Sequence, residues 1–235
     1  MGSEMCIRDS ITTSMDSTYV FYASDAGNIL YYDYLAPANP QTVYNFGSSK
    51  ISGMTLNRSI NRLYVTTQQT SPSVLHKIYV FDVTPALSGG TPSLVTSMNV
   101  FDGVVGHEDC KPSDIIYDST NNRVYALLSG TGGVVTFPDS GSSTPTVGSM
   151  EFIGVNQLNA SPFDVPGSGK RLVIRPEDRL LIGTMEGANQ VFTVDLTTNT
   201  VYVSAVQNPI TSIASYPSGQ ILLISRSKGK VYKAK

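Results

Sequence analysis

Two kinds of apolar segment alternate along the chain, and each occurs five times. The first kind follows a turn and is nearly continuous in apolar residues: STYVFYA (17–23), NRLYVTT (61–67), NRVYALL (122–128), DRLLIGT (178–184) and GQILLIS (219–225). The second kind ends at a polar residue or a proline: ILYYD (29–33), IYVFD (78–82), VVTFP (134–138), VFTVD (191–195) and VYKAK (231–235). Short apolar runs bounded by turn formers favour β-strands over helices.

The two kinds of segment are separated by a nearly constant distance. The separations are 13, 18, 13, 14 and 13 residues. They are measured from Val20, Tyr64, Tyr125, Leu181 and Leu222 to Asp33, Asp82, Pro138, Asp195 and Lys235, respectively. The longest contains an insertion, QQTSPSVLH (68–76). Glycine-containing loops such as SGTGG (129–133) lie between the segments, and glycine supplies the positive φ that tight hairpins require. Each pair of segments therefore predicts a β-hairpin.

A further strand is predicted on each side of every hairpin, except after the last. Four antiparallel strands repeated at intervals of 41 to 61 residues are typical of β-propeller blades. The second strands are apolar throughout because neighbouring blades would cover both of their faces. We predict an all-β propeller of four complete four-stranded blades and a three-stranded fifth, at approximately 11–47, 48–101, 112–153, 170–207 and 210–235.

NRLYVTT and KIYVFDV (77–83), on successive strands of one unit, resemble the YVTN-type β-propeller repeats, as do NNRVYAL (121–127) and NQVFTVDLTTNTV (189–201). The resemblance covers residues 11–235, and in that family the repeat marks the scaffold rather than a catalytic residue. Trp-Asp blades fit less well because the chain contains no Trp. The family also includes lactonases, which matters for the choice between the two functions considered below.

Residues 1–10 stand apart from the repeats. MCIRDS (5–10) is what a transposon mosaic-end sequencing adaptor would encode if it were translated, so we treat residues 1–10 as a non-native or disordered segment. The last blade lacks an outer strand, which would be expected to precede Ile11. The chain is therefore expected to be the C-terminal part of a propeller of six to eight blades, and the alternative is a complete five-bladed ring.

Composition narrows the possible partners. Of the 235 residues, 14% are charged and the net charge is −2, so a basic surface for nucleic acid is not expected. No apolar run is long enough to cross a membrane as a helix. Without Cys6 in the adaptor-like segment, Cys110 is the one remaining thiol, and the redox compartment cannot be read from it. Low charge with many Ser and Thr residues favours an exported or cell-surface protein.

One end of the blades gathers most of the candidate chemistry. Propeller sites usually lie where the loops between blades meet the loops inside the central hairpins, an end we call the loop face. The candidate ligand or partner residues there are His76, His107, Glu108, Asp109, Lys111, Asp164 and Glu186. GHEDCK (106–111) is their densest run, and its alternative interpretation is a solvated connector. No metal site and no cofactor motif is predicted.

Two functions remain open from the residues alone. The first is a non-catalytic propeller that binds a protein or a small-molecule ligand through the loop face; the second is a lactonase-like hydrolase with a site at the channel mouth. An enzyme would have few ionisable groups to use, which favours binding. Asp33, Asp82 and Asp195 recur at the ends of third strands, and we interpret them as caps of the following turns rather than a ring of cation ligands.

Overall fold

The computed structural model describes residues 11–13, 18–24, 26–35, 40–69, 75–100, 111–129, 133–153, 168–186, 190–206, 208, 210–216, 220–225 and 228–234. The regular structure of these residues is almost entirely β, and it includes the short 3₁₀ segments Thr84–Ser88 and Val147–Ser149. The 19 strands form five antiparallel sheets.

Each sheet is built from consecutive strands. The first sheet contains β1 (Ile11–Thr13), β2 (Tyr19–Ala23), β3 (Asn28–Asp33) and β4 (Gln41–Asn45). The second contains β5 (Lys50–Asn57), β6 (Arg62–Gln68), β7 (Lys77–Asp82) and β8 (Ser93–Asn99). The third contains β9 (Lys111–Asp118), β10 (Arg123–Ser129), β11 (Val134–Pro138) and β12 (Glu151–Ile153). The fourth contains β13 (Ser168–Arg175), β14 (Leu180–Glu186), β15 (Gln190–Asp195) and β16 (Thr200–Ala205). The fifth contains β17 (Ser212–Ser215), β18 (Ile221–Ser225) and β19 (Lys230–Ala234).

The first strands of successive sheets lie side by side. β1 contacts β5, β5 contacts β9, β9 contacts β13 and β13 contacts β17. This places the first strand of every sheet innermost and the later strands outside it, which is the radial order of propeller blades. The all-β propeller fold predicted from the repeat is therefore confirmed. The end that carries the turns between first and second strands, opposite the loop face, is called the turn face below.

Four apolar cores fill the spaces between neighbouring sheets. The second and third sheets share Tyr64, Val80, Val124 and Phe137, each of which is completely buried. Similar clusters join the first sheet to the second, the third to the fourth, and the fourth to the fifth. Each fully buried Val, Leu, Ile or Phe side chain stabilises the fold by roughly 1.5–3 kcal/mol. Burial on both faces explains why the second strands are apolar runs without alternation.

A β-bulge occurs near the loop-face end of the innermost strand in three sheets. The residue without a cross-strand partner is Ser52 in β5, Ser113 in β9 and Lys170 in β13. The Ser52 and Ser113 hydroxyls donate to the Thr66 and Leu127 carbonyls, at 3.3 and 3.2 Å. The bulge bends each strand at one place, and the residue after it faces the neighbouring sheet.

In the second sheet the residue after the bulge is Gly53, which lies against the backbone of the next innermost strand, β9. A Cβ at this position would lie 2.9 Å from the Asp114 Cα and 3.0 Å from the Ile115 nitrogen. Both atoms belong to the backbone of β9, so they cannot rotate away as a side chain could. The glycine is therefore required by the spacing between β5 and β9.

We expect Gly53→Ala to lower the free energy of unfolding by about 1–3 kcal/mol, because the added methyl group must push two packed backbones apart. Urea denaturation measures this loss. Gly148→Ala is the matched control, since the nearest atom to its new Cβ is 3.8 Å away. Equal stability of the two variants would show that the spacing between β5 and β9 is not constrained.

A repeated turn ties the first hairpin of a sheet to its third strand. Asn61, Asn122 and Arg179 have positive φ of 52°, 52° and 56°. Their carbonyls accept the backbone N–H groups of the residues that follow the third strands: Val83, Asp139 and Leu196, at 2.9, 2.8 and 2.9 Å. Asn tolerates the left-handed region better than most residues. The turn face therefore has the same backbone geometry in three successive sheets.

The structure corrects two details of the predicted strands. The apolar run TVGSMEF (146–152) predicts the fourth strand of the third sheet, but β12 starts at Glu151, because Thr146 and Ser149 form a capping box around the 3₁₀ segment Val147–Ser149. The register also differs in two sheets. The position of Tyr64 is occupied by Phe21 in the first sheet and by Ile182 in the fourth, rather than by Val20 and Leu181. Both side chains lie on the face that packs against the following sheet.

Candidate functional site

The structure describes only part of the predicted loop-face set. His107, Glu108, Asp109 and Asp164 lie outside the described residues. Glu186 ends β14, where its backbone is paired with Ser168. His76 and Lys111 are described with their surroundings, and they lie at the loop-face ends of the second and third sheets.

His76 is buried at the start of β7, with 5% of its surface exposed. Its Nδ1 accepts the Gln69 backbone N–H at 3.0 Å, and its carbonyl accepts the Val100 backbone N–H at 2.7 Å. These bonds span the ends of the insertion 68–76 and the exit from β8. The side chain therefore holds two loop ends together at the loop face.

Lys111 opens β9 beside the second sheet. The Ser129 hydroxyl donates to its carbonyl at 3.0 Å, and the Gln68 amide donates to the carbonyl of the next residue, Pro112, at 2.8 Å. The strand entry is thus bonded to both its own sheet and the preceding one. His76 and Lys111 lie on adjacent sheets.

Below Lys111, Asp114 links the innermost strands of the third and fourth sheets. It is 9% exposed, and its Oδ2 accepts the Leu172 backbone N–H at 2.8 Å. Its Oδ1 accepts the Ile115 backbone N–H at 3.0 Å and lies 3.6 Å from Arg171 Nη1. An innermost strand has no ladder partner on its inner edge, so the carboxylate satisfies an amide of β13 that the sheet leaves unpaired.

On the turn face, a buried carboxylate joins the second and third sheets. The Asp139 side chain is completely buried and forms an ion pair with Arg62. Its Oδ2 accepts the Tyr64 hydroxyl at 2.8 Å, and its Oδ1 accepts the Gly141 backbone N–H at 2.9 Å. Burial, reinforced by the adjacent Asp139 carboxylate, raises the pKa of Tyr64 above its usual range. Tyr64 therefore stays protonated and remains a donor.

A second ion pair joins the third and fourth sheets, also at the turn face. Arg179 donates from Nη2 to Asp118 Oδ2 at 2.6 Å and from Nη1 to Oδ1 at 3.1 Å, and the Asp118 side chain is 3% exposed. This two-point hydrogen bond with Asp118 raises the pKa of Arg179 above its usual value. The turn residue with positive φ is Asn61 in the second sheet and Asn122 in the third. In the fourth sheet this residue is Arg179, whose side chain bonds to Asp118 of the third sheet.

A groove of about 470 Å³ opens on the turn face between the second and third sheets. Its lining is mixed: Ile60, Arg62, Asp82, Thr84, Val95, Ser140, Gly141 and Ser142. The Ser140 and Ser142 hydroxyls are hydrogen-bonded to each other at 2.8 Å. This groove and the Arg62–Asp139 pair were not predicted from the sequence, whose candidate site residues lie at the loop face. One signal was available: Asp139 occupies the repeat position at which the second and fourth sheets carry Val83 and Leu196.

The recurring aspartates cap turns, as predicted. Asp33 accepts the Leu35 backbone N–H at 2.8 Å, and Asp82 accepts that of Thr84 at 2.9 Å. Asp195 accepts two backbone N–H groups, of which Thr197 is the closer at 2.7 Å. The Thr197 bond is the main cause that lowers the pKa of Asp195 below its usual range. The three side chains therefore serve separate turns.

Two further observations concern the described part of the chain. In these residues, no three His, Cys, Asp or Glu side chains are grouped closely enough to hold a metal ion. None of the described helical segments has the length and apolar character needed to cross a membrane.

Comparison with known proteins identifies the fold. No protein-family model matches the sequence, and no curated protein matches it. A chain in the crystal structure of a nidogen/laminin complex superposes with a TM-score of 0.56 at 12% identity. The superposition covers 83% of this chain but 62% of that one, so this chain spans less than two thirds of the neighbour. At such low identity the similarity supports the β-propeller fold and nothing finer.

Proposed function

We propose that this chain is a non-catalytic propeller scaffold that binds a partner through its loop face, with blades of the YVTN type. The carrying observation is the variable length of the connections between successive sheets, set against the uniform turns between first and second strands. The turns 58–61, 119–122 and 176–179 at the turn face all have four residues and share one left-handed turn, whereas the third-to-fourth-strand connections at that face run from four to twelve residues. On the loop face, the connections between successive sheets run over 46–49, 100–110, 154–167 and 206–211, from four to fourteen residues.

The turn face carries side chains that brace neighbouring sheets, namely Arg62 with Asp139 and Arg179 with Asp118. Loops on a rigid scaffold can change in length and composition without disturbing the cores between the sheets. Recognition is therefore best supported at the loop face, and the neighbour's presence in a nidogen/laminin complex is consistent with a protein as partner.

A peptide library displayed on phage provides a probe that assumes no partner. We expect peptides selected on the wild-type chain to lose at least tenfold in affinity, about 1.4 kcal/mol, for a variant with His107, Glu108 and Asp109 all changed to Ala. The matched control changes Ser119, Thr120 and Asn121 to Ala, three exposed residues of a turn-face connection. Binding should be retained in the control.

Two results would count against the proposal. Selected peptides that bind the loop-face variant normally, but not the turn-face control, would place recognition at the wrong end. A measurable rate of hydrolysis of simple lactones by the wild type, lost in His107→Ala, would favour the hydrolase instead. Circular dichroism and melting curves of every variant separate a lost site from a lost fold.

A further inference from the structure

The last strand of each four-stranded sheet forms the outer edge of its blade. β4, β8, β12 and β16 are each paired on one side only, with the third strand of their own sheet. Such a strand leaves alternate backbone N–H and C=O groups pointing outward, where they can pair with a strand of another chain. Proteins obstruct this pairing with β-bulges, charged side chains, proline or very short edge strands. The four outer edges of this chain differ in whether they carry such an obstruction.

Three of the four edges are obstructed. In β4, Val43 is a bulge that has no cross-strand partner in β3. In β8, Val95 is a bulge of the same kind opposite β7. β12 comprises three residues and begins at Glu151, whose side chain is exposed and charged. A bulge twists the edge away from an incoming strand, and a short edge offers too few backbone groups to pair with one.

The edge of the fourth sheet has no such obstruction among its described residues. The six residues of β16, Thr200–Ala205, pair with β15 without a register shift. Their sequence, TVYVSA, contains neither a charge nor a proline, and no charged residue occurs between Asp195 and Arg226. Six-residue segments rich in β-branched and aromatic residues, without charge and without proline, are the type that pairs with copies of itself.

The two faces of β16 suit pairing with an identical strand. Val203 lies opposite Phe192, and with Val201 it packs against the core between the third and fourth sheets. Tyr202 lies on the other face and is 58% exposed. When a two-fold axis perpendicular to the sheet relates two antiparallel strands, residues of one face meet residues of the same face. Valine then meets valine or alanine, tyrosine meets tyrosine or serine, and no like charges are brought together.

We propose that β16 pairs antiparallel with β16 of a second copy of this chain, so that two fourth sheets form one continuous eight-stranded sheet. Backbone hydrogen bonds hold the two strands together, as in other cases where a strand adds to an exposed sheet edge. The interface is isologous, because both copies use the same strand, and the assembly therefore closes at two copies. The edge lies on the outside of the blades, away from the loop face, so the pairing does not depend on what the loop face binds.

A lysine in the middle of β16 tests the pairing. Tyr202→Lys places the lysines of the two copies beside each other, and like charges in neighbouring strands destabilise a sheet. Tyr216→Lys is the matched control, because it makes the same substitution at a tyrosine that is 52% exposed and lies outside β16. Tyr202→Thr, which is neutral and β-branched, separates the effect of charge from the loss of the ring.

Light scattering coupled to size exclusion measures the outcome. The wild type, Tyr216→Lys and Tyr202→Thr should have a mass twice that of the 25.2 kDa chain. Tyr202→Lys should have the mass of one chain at the same concentration, with the dissociation constant of the dimer raised at least tenfold. A wild type that is monomeric at every concentration, or a Tyr202→Lys variant that dimerises as the wild type does, would overturn the proposal. Masses above two copies would also contradict it, because isologous pairing closes.

Cysteine cross-linking keeps the test decisive if the lysine variant does not fold. The two registers of largest overlap between two copies of β16 are centred on Tyr202 and on Val203. In a background with Cys6 and Cys110 changed to Ser, either Tyr202→Cys or Val203→Cys therefore lies on the two-fold axis and should form a disulfide-linked dimer on oxidation. Tyr216→Cys should remain monomeric. Failure of both β16 cysteines to link, or equal linking of all three variants, would refute the pairing.

Discussion

Asp139→Ala is expected to lower the free energy of unfolding by about 3–5 kcal/mol, the range for removing one partner of a buried ion pair. The loss has two sources. Arg62, whose side chain is 13% exposed, would keep its charge without a counter-charge, and the buried Tyr64 hydroxyl would lose its acceptor. Urea denaturation monitored by circular dichroism measures the change. Asp178→Ala is the matched control, because its ion pair with Arg175 is exposed and should contribute no more than about 1 kcal/mol.

The repeat itself suggests a variant that restores stability. In the fourth sheet, Leu180 and Leu196 occupy the positions that Arg62 and Asp139 have in theirs. Changing Arg62 and Asp139 to Leu and Tyr64 to Phe removes both charges and the Tyr64 hydroxyl at once, and the Gly141 backbone N–H loses its acceptor. Because apolar replacement of a whole buried ion pair is often neutral or stabilising, we expect the triple variant to unfold near or above the wild-type midpoint. A triple variant as unstable as Asp139→Ala would show that the ion pair is itself required.

The second large effect is expected at Phe192, which is 1% exposed in the core between the third and fourth sheets. Phe192→Ala should destabilise by about 3–5 kcal/mol, since it empties the volume of a ring. This ring lies across the opposite residue, Gly183: a Cβ there would be 2.1 Å from the Phe192 Cζ. Gly183→Val alone should therefore cost about 3 kcal/mol through overpacking.

The double variant measures how far these two residues depend on each other. With Phe192 reduced to Ala, the valine at 183 has room, so the combined loss should be clearly smaller than the two single losses added together. Thermal melts of the two single variants and the double variant supply the comparison. Strict additivity would mean that the ring does not occupy the space above the glycine.

Hairpins and sheet order were predictable because both depend on local sequence. An apolar run, a glycine loop and a second run form a hairpin wherever they occur, and each sheet uses consecutive strands. The register was harder to predict. Leu181 and Ile182 are both apolar, and so are Val20 and Phe21, so neither member of a pair stands out. Only cross-strand pairing shows which of them packs against the following sheet. A strand covered on both faces lacks the alternation that fixes register from sequence.

The interblade network was missed for a different reason. Asp139 follows the third strand as Val83 and Leu196 do, but sequence separation alone does not show that this position is buried. Its partners Arg62 and Tyr64 are 77 and 75 residues away, in the preceding sheet. The available signal was a charged residue, Asp139, at the repeat position that is apolar in the second and fourth sheets. It becomes visible only when the repeats are aligned by their hydrogen-bonded turns rather than by the ends of their apolar runs.

The exclusive pairing of consecutive strands makes the molecule a nearly one-dimensional array. A central sheet contributes to two interfaces and a terminal sheet to one, so stability is approximately a sum over sheets and nearest-neighbour contacts. Amide hydrogen exchange should then be slowest in the second and third sheets, whose shared core is the best buried. Exchange should quicken toward the first and fifth sheets, which can open while the centre remains folded. Partial unfolding would proceed inward from the ends, one blade at a time.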